Sequence, residues 1–135
     1  VEDEMNWDLM TIYPTHSKGQ VNTNLRDLIM DLASDTGINF EQVLKRNQNI
    51  RESHELNDEK AKVVNLEGSI DIERDLDGKN VILVDNIALS GTSILHGANK
   101  LKQRGAENVF AVVLGAVRDN QVKDPDEKQV ASQLV

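Results

Sequence analysis

Apolar positions along this chain change period in a fixed order. Val81, Ile82, Leu83 and Val84 form an unbroken apolar run, the pattern of a parallel strand covered on both faces. From position 94 the spacing becomes helical, with Ile94, Leu95, Ala98 and Leu101 predicted to face inward. Gly105 stands where a left-handed residue ends a helix, and the apolar run at 109–114 predicts a second strand. Strand, helix and strand fit one right-handed parallel crossover. Upstream, positions 8–13 predict another strand. Asn22 or Asn24 is placed to cap a helix through Leu25, Leu28, Ile29, Leu32 and Ala33, which Gly37 stops. A short element is expected at 40–44. Val63 and Val64, then Ile70, Asp71 and Ile72, suggest an extended or hairpin-like segment, with a turn at Asp77, Gly78 and Lys79 before the strand at 81. The fold class is α/β.

Chemistry concentrates between the strand at 81–84 and the helix that follows. Ser90, Gly91, Thr92 and Ser93 lie where backbone N–H groups are unpaired and the helix dipole favours an anion, and three hydroxyls add donors. A phosphate suits that turn. Asp85, just before it, can accept hydrogen bonds from sugar hydroxyls, and Asn86 can both accept and donate. Together they describe a site for a phosphorylated pentose at the carboxyl end of a strand, where open α/β sheets bind ligands. A second polar loop follows the first strand: Thr15, His16, Ser17 and Lys18 supply hydroxyl, imidazole and ammonium donors.

The segment Asp85, Asn86, Ile87, Ala88, Leu89, Ser90, Gly91, Thr92, Ser93 resembles the phosphoribosyl-pyrophosphate (PRPP) signature of type I phosphoribosyltransferases: an apolar strand, two acids, and a Thr-Thr-Gly-x-Thr turn. The resemblance implies a three-layer open parallel sheet flanked by helices, with a small mobile hood. It implies Asp85 and Asn86 as the catalytic pair at the ribose, and Leu89, Ser90, Gly91, Thr92 and Ser93 around the 5′-phosphate. Thr15, His16, Ser17 and Lys18 would line the diphosphate, and the polar region within 45–75 would be the hood. On closing, that hood would bring a cation to the diphosphate, with Arg51, Lys60 and Lys62 as candidates. The implied reaction is transfer of the phosphoribosyl group of PRPP to an unidentified nitrogenous acceptor with release of diphosphate. Mg²⁺ is the expected cofactor, held through substrate and water, because PRPP carries several negative charges and this acidic chain offers few cations. Family members are often dimers, so a homodimer is one expected assembly.

A second resemblance concerns Asn65, Leu66, Glu67, Gly68, Ser69 and Ile70, with Lys62, Leu56, His54 and Arg46 before them. It is similar to a stretch of the ComF-like phosphoribosyltransferases associated with DNA uptake, with Lys62 in place of an Arg, His54 of a Gln and Ile70 of a Phe. Two departures from the main signature bear on catalysis. Asn86 replaces the second acid, which removes a charge that would stabilise an oxocarbenium-like transition state, and Leu89 replaces a Thr. The alternative reading is therefore a noncatalytic PRPP or nucleotide sensor, or a partner domain.

Composition narrows the classes. A chain of 135 residues suits a single domain over 1–135. The net charge of −8 argues against a direct nucleic-acid footprint. With no cysteine there are no disulfides, which fits a cytoplasmic setting. No apolar run has the length of a membrane span, so no membrane partner is expected. Val1, rather than Met, stands first, as expected of a processed chain or of one lifted from a longer protein. His16, His54 and His96 are too dispersed for a metal site, and His96 reads as a surface or packing residue. The polar tail at 118–135 begins with Arg118, the one residue there expected to reach a ligand.

Overall fold

The computed structural model describes residues 6–52, 55, 56, 58–86 and 91–114. His54, Leu89, Ser90 and the tail at 118–135, Arg118 included, lie outside the described residues.

Four parallel strands make the main sheet. They are β1 (Leu9–Ile12), β2 (Asn39–Phe40), β5 (Asn80–Asp85) and β6 (Asn108–Val113), in the order β2-β1-β5-β6. Two short strands, β3 (Lys45–Arg46) and β4 (Ile70–Asp71), pair antiparallel as a separate sheet. The helices are α1 (Thr23–Thr36), α2 (Glu59–Leu66) and α3 (Thr92–Gln103). Register aligns Ile12 with Val84 and Asp85 with Val113, so β1, β5 and β6 end along one edge.

Side-chain alternation splits the core into two layers. Leu9, Val81, Leu83, Val109 and Ala111 point to the face covered by Ile94, Ala98 and Leu101 of α3, where Ile70, Ile72 and Leu76 complete the cluster. Met10, Ile12 and Val84 point to the opposite face and pack on Leu25 and Ile29 of α1. A parallel sheet between helices on both faces is the expected three-layer α/β class.

Local chemistry sets the boundaries. The Asn22 side chain accepts from the Leu25 N–H at 2.9 Å at the start of α1, and Gly37 ends it with φ 79°. The Asp58 carboxylate caps α2 by accepting from the Ala61 N–H at 2.7 Å. Two expectations fail. Val63 and Val64, expected to be extended, lie inside α2, because the Asp58 cap and packing against α3 override a locally β-like pair. Leu95, expected to face inward, is 47% exposed. Ile94 takes the inner position, and Gly97 and Ala98 fill the next turn of the same face.

The region at 45–75 holds β3, α2 and β4, and it buries Arg46, Leu66 and Ile70. Among the described residues no helix is long and apolar enough to cross a membrane.

Candidate functional site at the carboxyl edge of the sheet

Three expected segments converge on one edge. The Tyr13 N–H donates to the Val84 carbonyl at 2.9 Å, which sets the loop after β1 beside Asp85 at the end of β5. Thr92 and Ser93 open α3 on the same crossover. Gly91 caps that helix with φ 83°, a left-handed conformation natural to glycine, and has no side chain to occupy the first N–H groups. The turn therefore offers its amides to a ligand rather than to a capping residue.

Asp85 is half-buried, and its Oδ1 accepts from the Asn86 N–H at 2.9 Å. Burial pushes its carboxyl up to about 7, against the opposing pull of that N–H and of the Arg46 guanidinium. Near neutral pH this carboxyl is thus divided between its protonated and ionised forms.

The loop at 14–20 is a braced turn. The Thr15 N–H and hydroxyl both donate to the Gln20 carbonyl, at 2.9 and 3.1 Å, and the Ser17 N–H donates to Thr15 Oγ1 at 3.2 Å. The Lys18 N–H donates to the Asn49 side chain at 2.7 Å, and the Ile50 N–H to the His16 carbonyl at 2.9 Å. His16 Nε2 lies 3.5 Å from a Glu52 carboxylate oxygen, so this loop holds an acid as well as donors.

Arg46 organises the same region from beneath. It is 3% exposed, its Nε donates to the Thr15 carbonyl at 2.9 Å, and its Nη1 donates to Ser69 Oγ at 2.6 Å. Its Nη2 approaches the Pro14 carbonyl at 3.5 Å, and its own carbonyl accepts from the Gly19 N–H at 3.0 Å. The guanidinium also stacks over Tyr13, 5.2 Å from the ring centroid.

Tyr13 and His96 extend this cluster toward α3. The Tyr13 hydroxyl and His96 Nδ1 are 3.2 Å apart. Burial raises the Tyr13 phenol, against Arg46 and the Ser93 hydroxyl, which favour its ionised form. Burial, with Arg46 and Lys100 nearby, lowers His96 to about 4, so its imidazole is neutral at pH 7. Gly97 makes this packing feasible: a Cβ there would meet Tyr13 Cδ1 at 2.8 Å. His96, expected as a surface or packing residue, packs edge-on against the Tyr13 ring, with centroids 6.3 Å apart.

Of the expected closing cations, Lys60 and Lys62 lie on α2, and Asn65 of that helix bonds the backbone of Arg51. Arg51 and Lys60 are exposed, and among the described residues no hydrogen bond or ion pair holds their charged groups. Lys62 pairs with Glu59 at 3.6 Å. Sequence reasoning gave no site role to Arg46, Tyr13 or His96. The available signals were weak: Arg46 follows the apolar pair Val43 and Leu44, Tyr13 sits at a strand end, and His96 lies three residues after Ser93 on the site helix.

No protein-family model matches the chain, and no curated protein matches it. Solved structures do. The chain is similar to a protein described as the allosteric regulatory enzyme of purine biosynthesis, at 21% identity and TM-score 0.54 over 82% of this chain and 22% of that one. It is similar to glutamine PRPP amidotransferase from B. subtilis complexed with ADP and GMP, at 21% identity and TM-score 0.55, over 83% of this chain and 23% of that one. A hypoxanthine phosphoribosyl transferase of Trypanosoma cruzi matches at 14% identity and TM-score 0.50, over 90% of this chain and 57% of that one. The chain thus spans less than a quarter of the length of the first two proteins. The shared feature is the fold, a mostly parallel sheet flanked by helices.

Proposed function

We propose that this chain binds PRPP along the carboxyl edge of its sheet and transfers the phosphoribosyl group to a nitrogenous acceptor. The observation that carries this reading is the unit formed by β5, Gly91 and α3. It puts a ribose-type acceptor, Asp85, beside an uncapped helix N-terminus and next to the braced loop after β1. In this proposal the turn from Leu89 to Ser93 takes the 5′-phosphate, and Asp85 and Asn86 take the ribose hydroxyls. Thr15, His16, Ser17 and Lys18 line the diphosphate, with Arg46 beneath them as a fixed positive charge. Attack at C1 forms the new bond to nitrogen while the bond to diphosphate breaks, and the bound geometry supplies the alignment. Arg51, Lys60 or Lys62 would reach the diphosphate only if the segment carrying it moved toward the site.

Among the described residues no three His, Asp or Glu side chains converge as a metal cage. One carboxylate and one amide at the end of β5 suit a Mg²⁺ ion that arrives with the diphosphate and supplies charge neutralisation. At finer grain we propose the ComF-like subgroup, on the sequence resemblance at Arg46, Lys62 and 65–70. Asn65 ties α2 to the preceding segment by bonding both the N–H and the carbonyl of Arg51, at 3.2 and 2.8 Å.

A second reading, a noncatalytic PRPP sensor, is favoured by one observation. Where a second carboxylate is expected the chain has Asn86, and Asp85 bends back to its N–H. Calorimetric titration with PRPP, with Mg²⁺ and with a chelator, tests both readings. Saturable Mg²⁺-dependent binding that Asp85→Ala abolishes is the expected result. Unchanged binding in that variant overturns the assignment, and binding without diphosphate release against any nitrogenous acceptor favours the sensor.

A further inference from the structure

One carboxylate ties α2 to the start of α3. The Thr92 hydroxyl donates to Glu59 Oε1 at 2.6 Å, and Lys62 Nζ lies 3.6 Å from Glu59 Oε2. The two oxygens of Glu59 thus bridge a hydroxyl in the first turn of the site helix and an ammonium three positions further along α2. A phosphate bound at this helix N-terminus would call on the same partners, a hydroxyl donor and a cation. Gly91 brings no side chain to the first N–H groups of α3, so those amides add to the same spot.

The members of this bridge differ in how firmly they are held. The Glu59 side chain is 62% exposed and can turn into water at little cost, whereas that of Lys62 is 16% exposed, its stem packed and its ammonium kept in place. A phosphomonoester also brings three strong acceptor oxygens and up to two charges against the two oxygens and one charge of a carboxylate. We propose that Glu59 is a built-in stand-in for the phosphate, and that a phosphomonoester arriving at the start of α3 takes both Thr92 and Lys62 from it.

Of the three candidate cations, Lys62 then meets the 5′-phosphate without α2 travelling to the diphosphate. Glu59 in turn lowers the affinity of the turn for any anion, because its own charge must leave first. The swap rests on the proposed role of the phosphate turn; the bridge through Glu59 does not.

The test titrates the full isotope-labelled chain with ribose 5-phosphate in NMR, without Mg²⁺. In the parent, saturable shifts are expected at Thr92 and Lys62, and at the side-chain carboxyl of Glu59 as it loses the Thr92 hydroxyl. Glu59→Gln keeps an oxygen for Thr92 but removes the charge, and should bind the ester about threefold or more tighter. Glu67→Gln makes the same change of net charge at an exposed side chain at the other end of α2, and should leave the affinity unchanged. Lys62→Met keeps the packed stem and should weaken binding about threefold or more. A Glu59→Gln variant that binds no tighter than Glu67→Gln, or a Lys62→Met variant that binds as the parent does, overturns the swap while leaving the phosphate turn in place. No binding by either the parent or Glu59→Gln, in folded samples, overturns the phosphate turn together with the swap.

Discussion

The hydroxyl of Tyr13 meets Nδ1 of His96 at 3.2 Å, joining the end of the first strand to the second turn of the site helix. The Arg46 guanidinium lies over the ring of that tyrosine. This buried polar group adjoins Asp85, whose carboxyl is raised to about 7. Four predictions follow from the arrangement of these residues.

Asp85 must be ionised to accept fully from ribose hydroxyls. PRPP affinity is therefore expected to rise with pH toward about 7 and then level off. The slope from this one proton is about tenfold per pH unit on the acid side. PRPP phosphates titrate nearby, so Asp85→Asn is the comparison. Calorimetry across pH 5.5 to 8.5, which brackets the Asp85 midpoint of about 7, should show the extra slope in the parent and not in the variant.

Stability should respond to pH through two opposed groups. The Asp85 pKa is raised on folding, so its contribution is fully present below its unfolded value of 3.8 and is lost as pH rises through about 7. The His96 pKa is lowered, so its contribution is present above 6.5 and is lost as pH falls through about 4. Between about 4 and 6.5 the two slopes oppose each other. In Asp85→Asn only the histidine slope remains, and urea midpoints should rise with pH across that window. A flat profile in the variant would contradict the burial of His96.

Gly97→Ala should destabilise the fold although alanine is the better helix former. The added Cβ would meet Tyr13 Cδ1 at 2.8 Å and Leu83 Cδ2 at 3.1 Å, and the tyrosine ring is held by Arg46 and His96. Overpacking of about 1–3 kcal/mol outweighs a propensity gain of about 1 kcal/mol. Chemical denaturation should give a net loss of about 1 kcal/mol.

Asn86→Asp supplies the carboxylate that the signature leads one to expect. If its absence limits catalysis, release of diphosphate from PRPP should rise by about tenfold or more while binding changes little. A variant that binds PRPP as the parent does but is no faster would show that Asn86 is not what limits the reaction.

The parts of this fold that were readable in sequence are those where one period and one cap coincide. Strands β1, β5 and β6 are apolar runs, and α1 lies between a capping Asn22 and a left-handed Gly37. Helix α2 was not readable. Two adjacent β-branched residues, Val63 and Val64, mimic a strand, and the Asp58 cap and the contact with α3 decide otherwise. Leu95 misled because adjacent helix positions are about 100° apart, so Ile94 and Leu95 cannot both face the core. At the site, the order of Asp85, Asn86 and the turn was legible because it is a local motif. Arg46 was not, because nothing near it in sequence distinguishes it from the other members of a set of 15 basic residues. Its importance arises from the pairing of β3 with β4 and from carbonyls some thirty residues away.

The clamp that Arg46 places on the loop after β1 separates shape from selectivity. One guanidinium fixes the carbonyls of Pro14 and Thr15, and the backbone of the same residue fixes Gly19. The ends of the loop are thus specified from outside it, leaving the side chains of His16, Ser17 and Lys18 free of that task. If the loop takes an anion as proposed, those three positions can be exchanged to suit a different one while the mould that presents them stays the same.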